Sequence, residues 1–114
     1  MAKPLTLFMT LKSTPAWLQL SRARRQAFIA EAVAPILARH PAVKLRFFDA
    51  EFFTGRCSDV AMWQTPDIGA YALLIDALRD TDFFAKPYFE VVDIIPALEE
   101  AYRDADAALA PAAA

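Results

Sequence analysis

Three carboxylates (Asp49, Glu51, Asp59), two arginines (Arg46, Arg56) and the only cysteine (Cys57) share the short stretch VKLRFFDAEFFTGRCSDVAMWQT, residues 43–65. Asp59 is the most pointed of these. It falls in the middle of an apolar, strand-like run beside Ser58, Val60 and Ala61, where an aspartate is disfavoured unless something requires it. Such a group can act as general acid or base, or anchor a substrate hydroxyl; it can equally form a structural salt bridge to Arg46. Burial beside aromatics would raise its pKa, and a neighbouring Arg46 or Lys12 would lower it. Arg46 or Lys12 could also stabilise negative charge that develops in a reaction.

The other reactive residue types carry less. Asp49 and Glu51 alternate on one strand face within reach of Arg56, which reads as a solvated ion-pair cluster, with a paired-carboxylate acid/base site as the other reading. Cys57 has no histidine beside it to activate it and reads as a small buried filler. His40 stands before Pro41 at a helix end, where an imidazole can bond the last carbonyls. One histidine and one cysteine make no nitrogen–sulfur cluster for zinc or another transition metal, so none is expected. Gly55 and Gly69 are the only glycines, and no phosphate-cradling loop can be built from them. No cofactor is implied.

These residues need a scaffold, and the periodicity supplies one. Residues 5–12 alternate with period two and predict a first strand. A break at Ser13-Thr14-Pro15 and an apolar lead-in (Trp17, Leu18, Leu20) precede a helix capped by Ser21 and reaching Arg39. Its stripe is Phe28, Ile29, Ala32, Val33, Ile36 and Leu37. Pro35 lies inside that pattern and predicts a kink over residues 31–35. Two strands then fold back at Thr54-Gly55. A two-residue turn there places Phe48 opposite Ala61 and Arg46 opposite Trp63. It puts Arg46, Phe48, Asp59, Ala61 and Trp63 on one face and Leu45, Phe47, Val60 and Met62 on the other. Thr65-Pro66-Asp67 begins a second helix, with Thr65 as cap and an end near Arg79. The β-branched run YFEVVDII, residues 88–95, is the last strand, and Pro96 opens a short helix to about Asp106.

The order β-α-β-β-α-β plus a C-terminal helix predicts an α+β, ferredoxin-like fold: an antiparallel four-stranded sheet with two helices on one face. A chain of 114 residues fits one such domain. Residues 1–106 are assigned to it, and the alanine-rich residues 107–114 to a disordered tail. The face without helices should carry Phe8, Thr10, Lys12, Arg46, Phe48, Asp59, Trp63, Glu90, Val92 and Ile94. That is too much contiguous apolar surface for a monomer. The expectation is a homodimer whose sheets pack face to face into a dimeric α/β barrel around a cavity. Asp59 and Arg46 are its candidate catalytic residues. Phe8, Thr10, Lys12, Phe48, Trp63, Glu90 and Val92 are its candidate substrate contacts.

Composition narrows the partners. The chain is 57% hydrophobic with a formal charge of −2, which supplies apolar surface for an interface and no basic excess for nucleic acid. The only basic cluster, Arg22, Arg24 and Arg25, shares its helix with Glu31 and reads as a solvated face. No segment approaches the roughly 20 apolar residues that span a bilayer, and neither a membrane nor a nucleic acid is expected as partner. A lone cysteine fits a reducing compartment, and the cytoplasm is the expected location.

The segments PILARHPAVKLRFFDAEFF, SDVAMWQTPDIGAY, LRDTDFF and YFEVVDIIPALEEAY resemble the darcynin family, small bacterial and fungal proteins without an established general activity. The resemblance covers roughly residues 5–102. It implies a fold similar to the dimeric α/β-barrel group, whose members include cofactor-independent monooxygenases, dehydratase- or isomerase-like enzymes and noncatalytic binders. No catalytic residue can be carried over from it. The chain is thus expected to be a small-molecule-binding homodimer. One form of that function is a cofactor-independent enzyme, monooxygenase-, isomerase- or cyclase-like, acting on an aromatic or polyketide-like substrate. The other is a noncatalytic dimer for a hydrophobic ligand or a protein partner.

Overall fold

Alternation along Leu5–Ser13 forms β1. In the computed structural model, which describes residues 3–110, Leu7, Met9 and Leu11 of this strand are buried while Phe8 and Lys12 are exposed. The chain continues through α1 (Pro15–Leu18), α2 (Arg22–Phe28), a π-helical stretch (Ile29–Val33), α3 (Ala34–Arg39), β2 (Lys44–Asp49), β3 (Asp59–Thr65), α4 (Ile68–Arg79), α5 (Asp82–Ala85), β4 (Phe89–Leu98) and α6 (Ala101–Leu109). The strands lie in the order β2-β3-β1-β4 and pair antiparallel throughout. This is the expected α+β, ferredoxin-like arrangement.

Local chemistry explains the first helical arm. Ser21 Oγ accepts the Arg24 N–H at 3.1 Å and caps α2. Pro35 has no N–H to offer the carbonyl one turn back, so the preceding residues widen into the π-helical stretch, with the Ala34 N–H reaching the Ile29 carbonyl. As expected, the helical path continues past Pro35 and does not stop there. Val33 and Ile36 are buried, and Phe28 and Leu37 pack beside them. At the far end the His40 Nδ1–H donates to the Ile36 carbonyl at 2.8 Å, a structural role.

The lead-in helix is fixed from two sides. Thr14 Oγ1 donates to the Pro87 carbonyl at 2.8 Å, and the Trp17 ring lies 5.3 Å from Tyr88 and 5.0 Å from Phe89. Arg25 donates from Nε to the Trp17 carbonyl and from an Nη to that of Leu18, so this member of the basic cluster has a structural task.

Three boundaries differ from expectation. The cap of α4 is Asp67, whose Oδ1 accepts from the Gly69 and Ala70 N–H groups at 2.9 and 3.3 Å. Thr65, the expected cap, is buried, and its Oγ1 accepts the Asp67 N–H instead. β4 runs through Pro96 to Leu98; it is an edge strand, where a missing N–H need not cost a ladder bond. α6 begins at Ala101 after Glu100, which has a φ of 47°, and extends to Leu109. Part of the segment assigned to a tail is therefore helical, and residues 111–114 lie outside the described residues. Lys3 Nζ holds α6 through Asp104 at 2.8 Å. Among the described residues no helix is long and apolar enough to cross a membrane.

Candidate functional site

Residues 50–58 join β2 to β3 as a loop, which replaces the expected two-residue turn at Thr54-Gly55. The favoured two-residue hairpin turns need a residue of positive φ, and no described glycine has one. Instead the Phe53 and Thr54 N–H groups both reach the Ala50 carbonyl, and those of Ala50 and Glu51 both reach the Ser58 carbonyl. The pairing moves by one residue, with Asp49 opposite Asp59, Phe48 opposite Val60 and Arg46 opposite Met62. A one-residue slip turns every side chain of a strand over. Asp59, Ala61 and Trp63 consequently face the helices, and Val60 and Met62 take the open face.

The first consequence is an acidic site. Asp59 is only 5% exposed, and Ser58 Oγ donates to its Oδ2 at 2.6 Å. Asp49 and Glu51, both exposed, bring carboxylate oxygens near it, and one oxygen from each of the three acids lies within 4.8 Å of the others. Burial pushes the Asp59 pKa up from 3.8 to about 6; the Ser58 hydroxyl opposes this, and contact with Asp49 and the charge of Glu51 add to it. Neither expected ion pair is present among the described residues. Arg46 lies across the sheet from Asp59, with its guanidinium 5.3 Å from the Phe48 ring centre. The loop carries Arg56 to the other side, beside Thr10 and Asp93. The three acids form an oxygen-only set of the type a hard cation accepts, and a protonated Asp59 among them could donate or take a proton.

The second consequence concerns the open face. Its rows run Lys44–Gln64–Thr6–Ala97, Arg46–Met62–Phe8–Ile95 and Phe48–Val60–Thr10–Asp93, followed by Lys12–Glu90. Phe8, Thr10, Lys12, Arg46, Phe48 and Glu90 share this face as expected. Val92 is an extra residue in β4, opposite the step from Thr10 to Leu11, and it lines an open-face cleft of about 280 Å³ with Thr10, Arg56 and Asp93. This bulge reverses the alternation beyond it. Ile94, expected on the open face, turns to the helices, and Asp93 and Ile95 take its place. The Lys12 Nζ donates to the Gly55 carbonyl at 3.4 Å, which ties the loop to this face.

Trp63, expected among the substrate contacts, is 2% exposed beneath the helices, edge-on to Tyr71 at 6.1 Å, with no hydrogen-bond partner for Nε1. Cys57 is buried, as expected of a filler. The sequence pattern singles out neither Asp93 nor Ser58 as a site residue. The adjacency of Ser58 to Asp59 was a usable signal for one; nothing in the local pattern announced the bulge that exposes the other.

The sequence matches the family described as "Darcynin, domain of unknown function" over residues 1–113. The darcynin of Chromobacterium violaceum is 59% identical over 76 residues, covering 67% of this chain and 96% of the relative. A darcynin homolog of Streptomyces avermitilis is 46% identical over 100 residues, covering 87% and 82%. Among solved structures, a double mutant of the chlorite dismutase from Candidatus Nitrospira defluvii superposes with a TM-score of 0.70 at 9% identity, over 86% of this chain and 40% of that one. A single mutant of the same enzyme gives 0.71 at 9% identity, over 88% and 41%. This chain spans less than half of those chains, and at such identity the likeness shows the fold alone, an α+β, ferredoxin-like architecture. The sequence match over residues 1–113 shows that the chain belongs to the darcynin family.

Proposed function

We propose that this darcynin works in the cytoplasm as a homodimer that encloses a small hydrophobic or aromatic molecule between the open faces of two sheets. One observation carries the reading. Phe8, Phe48, Val92 and Ile95 are 38%, 42%, 52% and 52% exposed on the face that no helix covers. A second copy across a two-fold axis buries the same patch twice over. The rows also suit such pairing. With the axis parallel to the strands, β2 of one protomer faces β4 of its partner, and the Arg46–Phe48 corner meets the partner's Asp93. Arg46 and Lys12 would draw an anionic ring substituent into the aromatic interior.

Binding is favoured over turnover on this face, because Asp59 and Arg46 lie on opposite sides of the sheet and cannot act on one substrate there. The carboxylate group supports a second, enzymatic reading: proton transfer by Asp59 to a substrate approaching past the exposed Asp49 and Glu51.

Sedimentation velocity at micromolar concentration tests the dimer. Wild type should sediment as a dimer, and Phe48→Glu as a folded monomer, since Phe48 supports no core. A monomeric wild type, or a dimer indifferent to Phe48→Glu, would overturn the proposal. Native mass spectrometry of the dimer would then identify any retained molecule.

A further inference from the structure

On the helix-covered side, the edge strand β4 lies beyond the cover of α4. Val91 and Ile94 point that way and yet remain 43% and 40% exposed. The gap between α4, α5 and the sheet is a solvent-open groove of about 220 Å³ with Met9, Ile75, Phe84 and Ile94 in its walls. Two polar residues join them. Arg79 ends α4, where a cation suits the helix dipole without any ligand. Two facts go further than that: no carboxylate among the described residues lies within 4.0 Å of its guanidinium, and it borders an apolar groove. Tyr71, half-buried on the same helix and groove wall, makes no hydrogen bond through its hydroxyl to any described residue, and burial raises its pKa so that it keeps its proton.

We infer that this groove binds a small apolar monocarboxylate. The planar guanidinium matches a carboxylate with two parallel N–H donors. The walls offer only hydrocarbon, thioether and ring surface to the rest of the ligand. At 220 Å³ the space is below the roughly 300 Å³ at which drug-sized sites begin, so a chain or ring of about six to eight carbons is the appropriate size. The site is separate from the open face and needs no second copy of the chain.

Titration calorimetry with octanoate and phenylacetate tests this, with 1-octanol and octylamine as head-group controls. Octanoate should bind the wild type, and Phe48→Glu should bind it equally well, which separates this site from the dimer cavity. Arg79→Gln should weaken octanoate about tenfold or more, the size of one lost charge-assisted hydrogen bond. Arg79→Lys should recover part of that loss, and Arg22→Gln, on a solvated helix face, should change nothing. Arg79 is exposed, so its replacement should not threaten folding, and melting curves verify this. Octanol binding as tightly as octanoate, Arg79→Gln binding as wild type does, or no acid binding at millimolar concentration would each overturn the inference.

Discussion

Replacing Asp59 with asparagine should stabilise the protein at neutral pH and leave its stability little changed in acid. The folded-state pKa of Asp59 is about 6 against 3.8 for a free aspartate, so the folded chain holds this proton more tightly than the unfolded chain does. Its contribution to stability is therefore complete below pH 3.8, declines as pH rises, and is lost above about pH 6. Two pKa units correspond to about 3 kcal/mol. Asp49 and Glu51 are exposed and hydrated, which reduces their share, so a gain of about 1–3 kcal/mol at pH 7.5 is expected for the variant. Asparagine fits the surroundings, because its carbonyl oxygen can accept from Ser58 Oγ as Oδ2 does now and its amide can donate to Asp49.

The assay is equilibrium urea unfolding of both proteins at one protein concentration from pH 3.5 to 8, read as the difference between them, in which the titrations of groups remote from Asp59 cancel. The difference should grow between about pH 4 and 6 and then level off. Added salt separates the causes. Repulsion from Asp49 and Glu51 is screened and burial is not, so most of the gain should survive in 0.5 M NaCl if burial is the larger cause. A variant less stable at pH 7.5, or a difference flat with pH, would refute this account of the site. An acid that lowers stability at working pH is a better candidate for function than for scaffold.

Two further substitutions test the scaffold. Trp63→Phe leaves a smaller ring in a buried site but removes an N–H that has no partner; the two effects offset, and a loss of about 1 kcal/mol is expected by urea unfolding, well under the 3–5 kcal/mol typical of Trp→Ala. A loss above 3 kcal/mol would mean that the indole N–H is bonded in solution. Asp67→Ala should cost about 1 kcal/mol by removing the cap of α4, seen as a lower melting temperature, and an unchanged temperature would return the capping role to Thr65.

The fold was legible because its signals are local. Ser21, Pro35 and His40 each behave as their own chemistry requires: a hydroxyl that caps, a ring that widens a helix, an imidazole that satisfies a carbonyl. The alternation of β1 likewise depends on nothing outside the strand. The site was less legible because it depends on counting residues across a loop. Phe52 and Phe53 have strong strand propensity and extended β2 on paper, but in the fold they are 73% and 89% exposed in the loop. Gly55 marked the turn on paper without adopting the backbone conformation that makes glycine necessary in one. The edge position of β4 was equally hidden, and with it the freedom to carry Pro96 and the bulge at Val92.

The length of one loop decides the chemistry. Under the two-residue turn, Asp59 would share a face with Arg46, whose positive charge would oppose the effect of burial on its pKa and offer it a salt bridge. Under the observed register it shares a face with Asp49, directly across the strand pair, and Glu51 folds back beside both. Arg46 is left on the other side to cover Phe48. The same slip that withdrew Asp59 and Trp63 from the open face brought Val60 and Met62 onto it. That face lost its buried acid, while the helix side gained a protonatable one. A face suited to binding and a face suited to proton transfer thus lie back to back on one sheet, and Asp59→Asn and Phe48→Glu probe them separately.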